Sequence, residues 1–153
     1  MIISKTIEFD MGHRIPYHKS KCRSPHGHRY KLTVYVEGDV IDLEGKSDHG
    51  MVMDFSDVKN IMMKEVHDQF DHAFVYWDKD EALCDFYHKE DHFKSIKVPF
   101  TPTVENLSAW IYRLMDTSLC TRYKDKLKLH HVELYETPTC KATFRSEDDV
   151  PWN

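Results

Sequence analysis

Two imidazoles one residue apart, in His26-Gly27-His28, are placed to share one ligand. On an extended chain, residues i and i+2 project from the same face. Gly27 leaves the opposite side uncrowded. His13 lies just past a first stretch with strand character. If that stretch pairs as an antiparallel hairpin with the one opening at His26, positions 11–13 and 26–28 come together, and the loop 14–25 closes over them. Three neutral imidazoles with a fourth position open form the ligand set of a catalytic zinc site, and a fourth protein ligand would make it structural. The competing reading is chance, because a chain with 11 histidines produces some His-x-His pairs without function.

Four neighbours bear on that choice. Cys22 stands in Lys21-Cys22-Arg23, and two flanking cations favour a thiolate. It could be a fourth ligand, a general base or an incidental loop thiol. Asp71-His72 can form an orienting pair that shuttles protons, or it can simply end a helix, with His72 at the negative end of the dipole. Glu136, at a strand end before Thr137-Pro138, could clamp a guanidine-like edge through two hydrogen bonds, or lie solvated in a hairpin. Glu105 sits in a helix-capping sequence, Thr103-Val104-Glu105-Asn106, and capping explains it sufficiently.

The elements that must position these groups follow from periodicity. Ile3, Lys5, Ile7 and Phe9 alternate with Ile2, Ser4, Thr6 and Glu8, which predicts a strand over 1–11. Tyr30, Leu32, Val34 and Val36 alternate with Arg29, Lys31, Thr33 and Tyr35, which predicts a second over 26–38. Ser56 is placed as the N-cap of a helix over about 57–70, carrying Val58, Ile61, Met62 and Val66. Residues 76–98 show no clean period and read as an insertion or long loop, with room for a short helix. Thr103 caps a helix over about 104–118, with Leu107, Trp110, Ile111 and Leu114 on its apolar face. A third strand is expected over 126–136, with Leu127, Leu129 and His131 on one face and His130, Val132 and Leu134 on the other. Thr137-Pro138-Thr139 turns the chain into a last strand over 141–145. The order is ββααββ, an α+β chain in one domain spanning 1–153.

Composition narrows the classes. The chain has 153 residues, 41% hydrophobic and 31% charged, which are globular proportions. A net charge of −5 with histidines neutral gives no footprint for nucleic acid. The opening Met1-Ile2-Ile3-Ser4-Lys5 lacks the pattern of a signal peptide, and no apolar run is long enough to span a membrane. The four cysteines (Cys22, Cys84, Cys120, Cys140) show no Cys-x-x-Cys pairing and read as reduced thiols. A cytoplasmic protein is expected.

Taken in order, the motifs resemble one family. They are a histidine after the first strand, Cys22-x-x-x-His26-Gly27-His28, Gly50-Met51-Val52-Met53-Asp54-Phe55, Phe70-Asp71-His72, Pro102-Thr103-Val104-Glu105-Asn106, and Tyr135-Glu136-Thr137. The chain resembles the 6-pyruvoyl-tetrahydropterin synthase superfamily, in its 6-carboxy-tetrahydropterin synthase branch, over residues 5 to 145. The resemblance implies the tunnelling fold, whose subunits join their sheets into a barrel as a trimer or dimer of trimers, with active sites between subunits. It implies that His13, His26 and His28 hold zinc, and that Cys22 acts as general base. Asp71 and His72 would complete a proton relay. Glu136 would anchor a pterin ring, with Thr137 and Glu105 as further substrate-binding residues. The implied substrate is 7,8-dihydroneopterin triphosphate. The implied products are 6-carboxy-5,6,7,8-tetrahydropterin, acetaldehyde and triphosphate, on a route to queuosine and other deazaguanines.

Lys19, Lys21, Arg23 and Arg29 could meet the triphosphate. The three-residue gap between Cys22 and His26 looks like the carboxy branch, since pyruvoyl enzymes tend to a longer one. Folate-pathway relatives carry a Glu near the Cys position, and Arg23-Ser24-Pro25 offers none. Two features depart from the family. Met11-Gly12 stands where members often have Ala-Ala, and 76–98 is longer and more charged than the family's compact pattern. A pyruvoyl-type synthase and a non-catalytic pterin-binding module, its zinc closed off by Cys22, are the competing functions.

Overall fold

Strict alternation near the N-terminus builds the hairpin on which the rest packs. The computed structural model describes residues 1–152, leaving aside the side chain of Asp125. Strand β1 (Ile2–His13) pairs antiparallel with β2 (His26–Gly38), in a register running from Ile2 opposite Glu37 to His13 opposite His26. Ile7, Phe9 and Met11 of β1, and Tyr30, Leu32, Val34 and Val36 of β2, are buried on one face. A fully buried aliphatic or aromatic side chain there stabilises the fold by about 1.5–3 kcal/mol. His13 takes the next place in that apolar row and is just as buried. An imidazole so placed needs polar partners.

The remaining elements complete one sheet. Helix α1 (Phe55–Met62) runs through a π-helical turn at Met63–His67 into a last helical turn, α2 (Asp68–Phe70). Next come β3 (Phe74–Trp77), α3 (Glu81–Lys89), β4 (Ser95–Val98), the long α4 (Val104–Tyr123), β5 (Leu127–Thr137) and β6 (Cys140–Arg145). The six strands lie in the order β4-β3-β1-β2-β5-β6. Val58, Ile61, Met62 and Val66 from the first helical run, and Leu107, Ile111, Met115 and Leu119 from α4, meet the apolar face in one core.

Four differences from the sequence reading have physical causes. Residues 76–98 are not a loop, because β3 and β4 add a parallel pair beyond β1 and α3 links them. Tyr87 of α3 stacks on Tyr76, 4.9 Å between centroids, so that helix packs on the side of β3 away from buried Val75. Asp54, not Ser56, caps α1 and accepts from the Ser56 N–H at 2.7 Å. Either residue type can cap, and the extended backbone at Asp54 selects it. Helix α4 runs on to Tyr123 because Met115 and Leu119 continue its buried stripe. A bulge in β5 leaves His130 without a partner between the pairs Tyr35–His131 and Val36–Leu129. The parity flip puts Leu127, Leu129, Val132 and Leu134 all in the core, where simple alternation divided them.

The C-terminal tail closes one side of this core. Trp152 stacks on Phe100 at 4.3 Å, with the Arg113 guanidinium 4.3 Å over its ring. Its indole N–H donates to Asn106 Oδ1 at 2.8 Å, and the Asn106 amide donates to the Thr101 carbonyl at 2.9 Å. Three sheet margins carry no strand partner among the described residues: β1 from Ile2 to Phe9, and the outer sides of β4 and β6.

Candidate functional site

Hairpin register alone brings the three histidines together. His13 and His26 form the last rung of β1 and β2, and His28 lies one rung back on the same face. One ring nitrogen from each lies within 4.8 Å of the other two. The His13 Nδ1–H donates to the Pro102 carbonyl at 2.7 Å, and the His26 Nδ1–H donates to the Ser24 carbonyl at 2.7 Å. A carbonyl oxygen only accepts, so the proton sits on Nδ1 and the Nε2 lone pair is left for a metal. Burial holds the His13 pKa below its ordinary value, against the raising pull of the Pro102 carbonyl and the Glu136 carboxylate. The ring is therefore neutral, as a ligand must be. This donor set fits a divalent metal with open coordination positions.

Two further groups face the trio. Glu136 Oε1 lies 3.4 Å from His13 Nε2. A second β-bulge, between Tyr135 and Thr137, leaves Glu136 outside the ladder and on the same side as buried Leu134. The Tyr30 hydroxyl sits between them, 3.4 Å from His13 Nε2 and donating to Glu136 Oε1 at 3.5 Å. Burial, then the Glu136 charge, pushes the Tyr30 pKa well above the usual phenol range, so it keeps its proton. The sequence reading missed Tyr30. Its signal was parity, because 26, 28 and 30 share one face of β2.

Thr137 lies beside Glu136, and its hydroxyl accepts from the Cys140 N–H at 3.1 Å, closing the β5–β6 turn. Both residues line a groove of about 530 Å³ with Gly27, His28, Arg29 and Lys31. Cys22 is half-buried on a 3₁₀ turn, Lys21–Arg23, in the loop before His26. Its sulfur does not join the histidine cluster. That loop is anchored by a bidentate ion pair from Arg14 to buried Asp80, with Arg14 Nε donating to Asp80 Oδ2 at 2.6 Å. Glu105 is exposed in the first turn of α4, and among the described residues no recorded contact ties its carboxylate to the histidines.

Asp71 and His72 are placed elsewhere. His72 Nδ1–H donates to Asp71 Oδ2 at 2.7 Å, and Asp71 Oδ1 accepts from the Asp10 N–H at 2.9 Å. The Asp10 hydrogen bond, then that of His72, holds the Asp71 carboxyl below its ordinary value. Exposed His72 borders a shallow depression of about 600 Å³ with Asp10, Gly12, Arg29, Phe74 and Lys94. Asp10 and Arg29 alternate with core-facing Met11 and His28, so their side chains lie on the sheet face opposite the trio, and the depression runs to the hairpin end, where Met11, Gly27 and His28 also line it. Arg29 is paired there with Asp10 at 2.9 and 3.0 Å, whereas Lys19, Lys21 and Arg23 stand exposed on the Cys22 loop.

Comparison with known proteins adds an independent line. The sequence pattern of the family described as 6-pyruvoyl tetrahydropterin synthase matches residues 2–147. A Haemophilus influenzae protein named 6-carboxy-5,6,7,8-tetrahydropterin synthase is 35% identical over 146 residues, covering 94% of this chain and 97% of that protein. A Synechocystis protein of the same name is 33% identical, covering 95% of this chain and 93% of its own length. The Caenorhabditis elegans 6-pyruvoyl tetrahydropterin synthase structure superposes with a TM-score of 0.66 at 22% identity, covering 96% of each chain. An uncharacterized Wolinella succinogenes protein reaches 0.72 at 22% identity, covering 96% of this chain and 99% of that one. At that identity the two structures bear on the fold alone, which is the tunnelling fold.

Proposed function

The chain belongs to the 6-pyruvoyl tetrahydropterin synthase family, and from that premise we propose that it is a zinc-dependent lyase. Its reaction takes 7,8-dihydroneopterin triphosphate and water to 6-carboxy-5,6,7,8-tetrahydropterin, acetaldehyde and triphosphate, in the supply of 7-deazaguanines such as queuosine. The observation that carries this reading is the open cluster of three imidazoles beside Glu136. His13, His26 and His28 would hold the zinc. When bound, the metal supplies Lewis acidity toward the substrate's side-chain hydroxyls.

The protein groups divide the remaining work. Glu136 anchors the amino-pyrimidine edge of the pterin. Its Oε1 is engaged by Tyr30, so Oε2 is the oxygen left for the ring. Thr137 borders that position, and Glu105 is assigned to the substrate from the family motif. Cys22 takes a proton from the substrate. Asp71 keeps the His72 ring oriented for the second proton transfer. Lys19, Lys21 and Arg23 meet the triphosphate from the loop.

Among the described residues of a single copy no recorded contact joins the trio or Cys22 to His72, which suits a site shared between copies. Two of the unpartnered margins, on β1 and β6, suit pairing with further copies into a closed barrel. The site is then completed between subunits of a trimer or dimer of trimers in the cytoplasm. Support for the carboxy product comes from the names of the relatives at 33–35% identity. The family description favours the sister reaction, with a pyruvoyl product from the same substrate.

The test is to incubate zinc-loaded protein with 7,8-dihydroneopterin triphosphate and weigh the products. Carboxy-tetrahydropterin with acetaldehyde is expected, and a pyruvoyl product would move the chain to the sister branch. Cys22→Ala should lose turnover by at least about 100-fold, the order set by a missing general base, while zinc content by metal analysis stays at the wild-type level. Loss of zinc in that variant would instead make Cys22 a ligand.

A further inference from the structure

The strand-helix-strand segment from Phe74 to Val98 supplies no group to the roles above. Its polar side chains nevertheless reach into both halves of the site. Asp80 at one end takes Arg14. Near the other end stands Lys94, just before β4. Its backbone is fixed because the Phe74 N–H donates to the Lys94 carbonyl at 3.0 Å. Its ammonium turns back across the sheet margin. Nζ donates to the Asp68 carbonyl at 2.9 Å and to the Asp71 carbonyl at 2.6 Å. These are a carbonyl in the last turn of the helical run and that of the residue just past its end. A cation is favoured there, because such oxygens have no partner within the helix.

The residue after that turn is His72, whose backbone has φ +59°. A side chain with a Cβ adopts this left-handed conformation only when its surroundings hold it there. Restraints come from two sides. On the β1 side, the His72 N–H donates to the Asp10 carbonyl at 2.7 Å, and the Asp10 N–H donates to Asp71 Oδ1 at 2.9 Å. On the opposite side, Lys94 holds the two carbonyls. The turn's own bonds, Asp71 N–H to the His67 carbonyl and Ala73 N–H to the Phe70 carbonyl, both at 2.9 Å, leave the Asp71 carbonyl to Lys94; without it, the peptide between Asp71 and His72 keeps only its N–H link to β1 and can tilt about it, carrying the imidazole away from the direction Asp71 sets.

We propose that Lys94 is the positioning residue of the Asp71–His72 pair, holding the turn at Asp68 and Asp71 so that His72 keeps its left-handed backbone and ring direction. This rests on the relay role given to His72 under the proposed function. It also gives the segment 74–98 a function, as a brace whose ends fix the loop after His13 and the turn before His72.

The test is Lys94→Met against Lys94→Arg in full-length, zinc-loaded protein. In Lys94→Met, kcat should fall by about 10- to 100-fold, the scale of an ångström-sized misplacement. KM and zinc content should hold, and Lys94→Arg should recover most of the rate. The same variants give a readout that needs no turnover: the His72 ring nitrogens in ¹H–¹⁵N spectra should shift in Lys94→Met and return in Lys94→Arg. If the wild type makes no carboxy or pyruvoyl product, the relay reading fails, and the spectra still decide the positioning claim. A kcat within twofold of wild type with unchanged His72 signals overturns the proposal. So does a loss of rate that comes with lost zinc or a raised KM, which would make Lys94 a general support of the fold.

Discussion

At the residue scale the site depends on where protons rest. His13 and His26 each give Nδ1–H to a backbone carbonyl, which leaves Nε2 as the nitrogen that can take a metal. Asp71 stays charged because the Asp10 N–H and His72 both favour its carboxylate. A carboxyl whose folded pKa is depressed adds stability above its unfolded value and loses it as pH falls through the folded one. For Asp71 that window lies below its ordinary value of 3.8. In metal-free protein, urea midpoints between about pH 5 and about pH 2 should therefore fall more steeply for the wild type than for Asp71→Asn. Equal slopes would mean that the Asp10 link contributes nothing. The His-x-His pair was legible from spacing, and Tyr30 was legible in principle from its parity. The carbonyl partners at Ser24 and Pro102 were not, because every residue has such an oxygen and only the fold decides which is near.

At the scale of elements, alternation was a sound guide wherever pairing was regular. Strand β2 falls at 26–38, the bounds its alternation predicts. The same rule misled at β5, because a bulge reverses parity at a single residue and His130 carries no mark of it. The segment 74–98 hid its strands for another reason. They are four residues each and partly buried on both faces, too short for a period to declare itself. That segment also accounts for Gly12, one of the two departures from the resembled pattern. A Cβ on Gly12 would lie 2.6 Å from Phe74 Cδ2. Gly12→Ala should therefore cost about 1–3 kcal/mol in urea denaturation. Adding Phe74→Ala should recover part of that cost, and an unchanged midpoint in Gly12→Ala would show that Phe74 yields freely.

At the scale of the molecule, the histidine trio and the Asp71–His72 pair are separate clusters. Among the described residues no recorded contact joins Cys22 or the histidine trio to Asp71 or His72. An enzyme built this way should complement itself. Cys22→Ala and His72→Ala, each inactive alone, should regain part of the activity when unfolded together and reassembled, because mixed assemblies contain some intact pairs. Silence in the mixture, with the assembly confirmed by light scattering, would place both groups in one subunit's site. No helix among the described residues is long and apolar enough to cross a membrane.

The tail at Trp152 has a practical consequence for preparing the protein. The indole grips Asn106, which grips the Thr101 carbonyl one residue from the oxygen that orients His13. Trp152 is thus tied to the candidate metal site through two hydrogen bonds. Oxidation of the indole during handling would loosen that site from outside and yield batches of uneven metal loading.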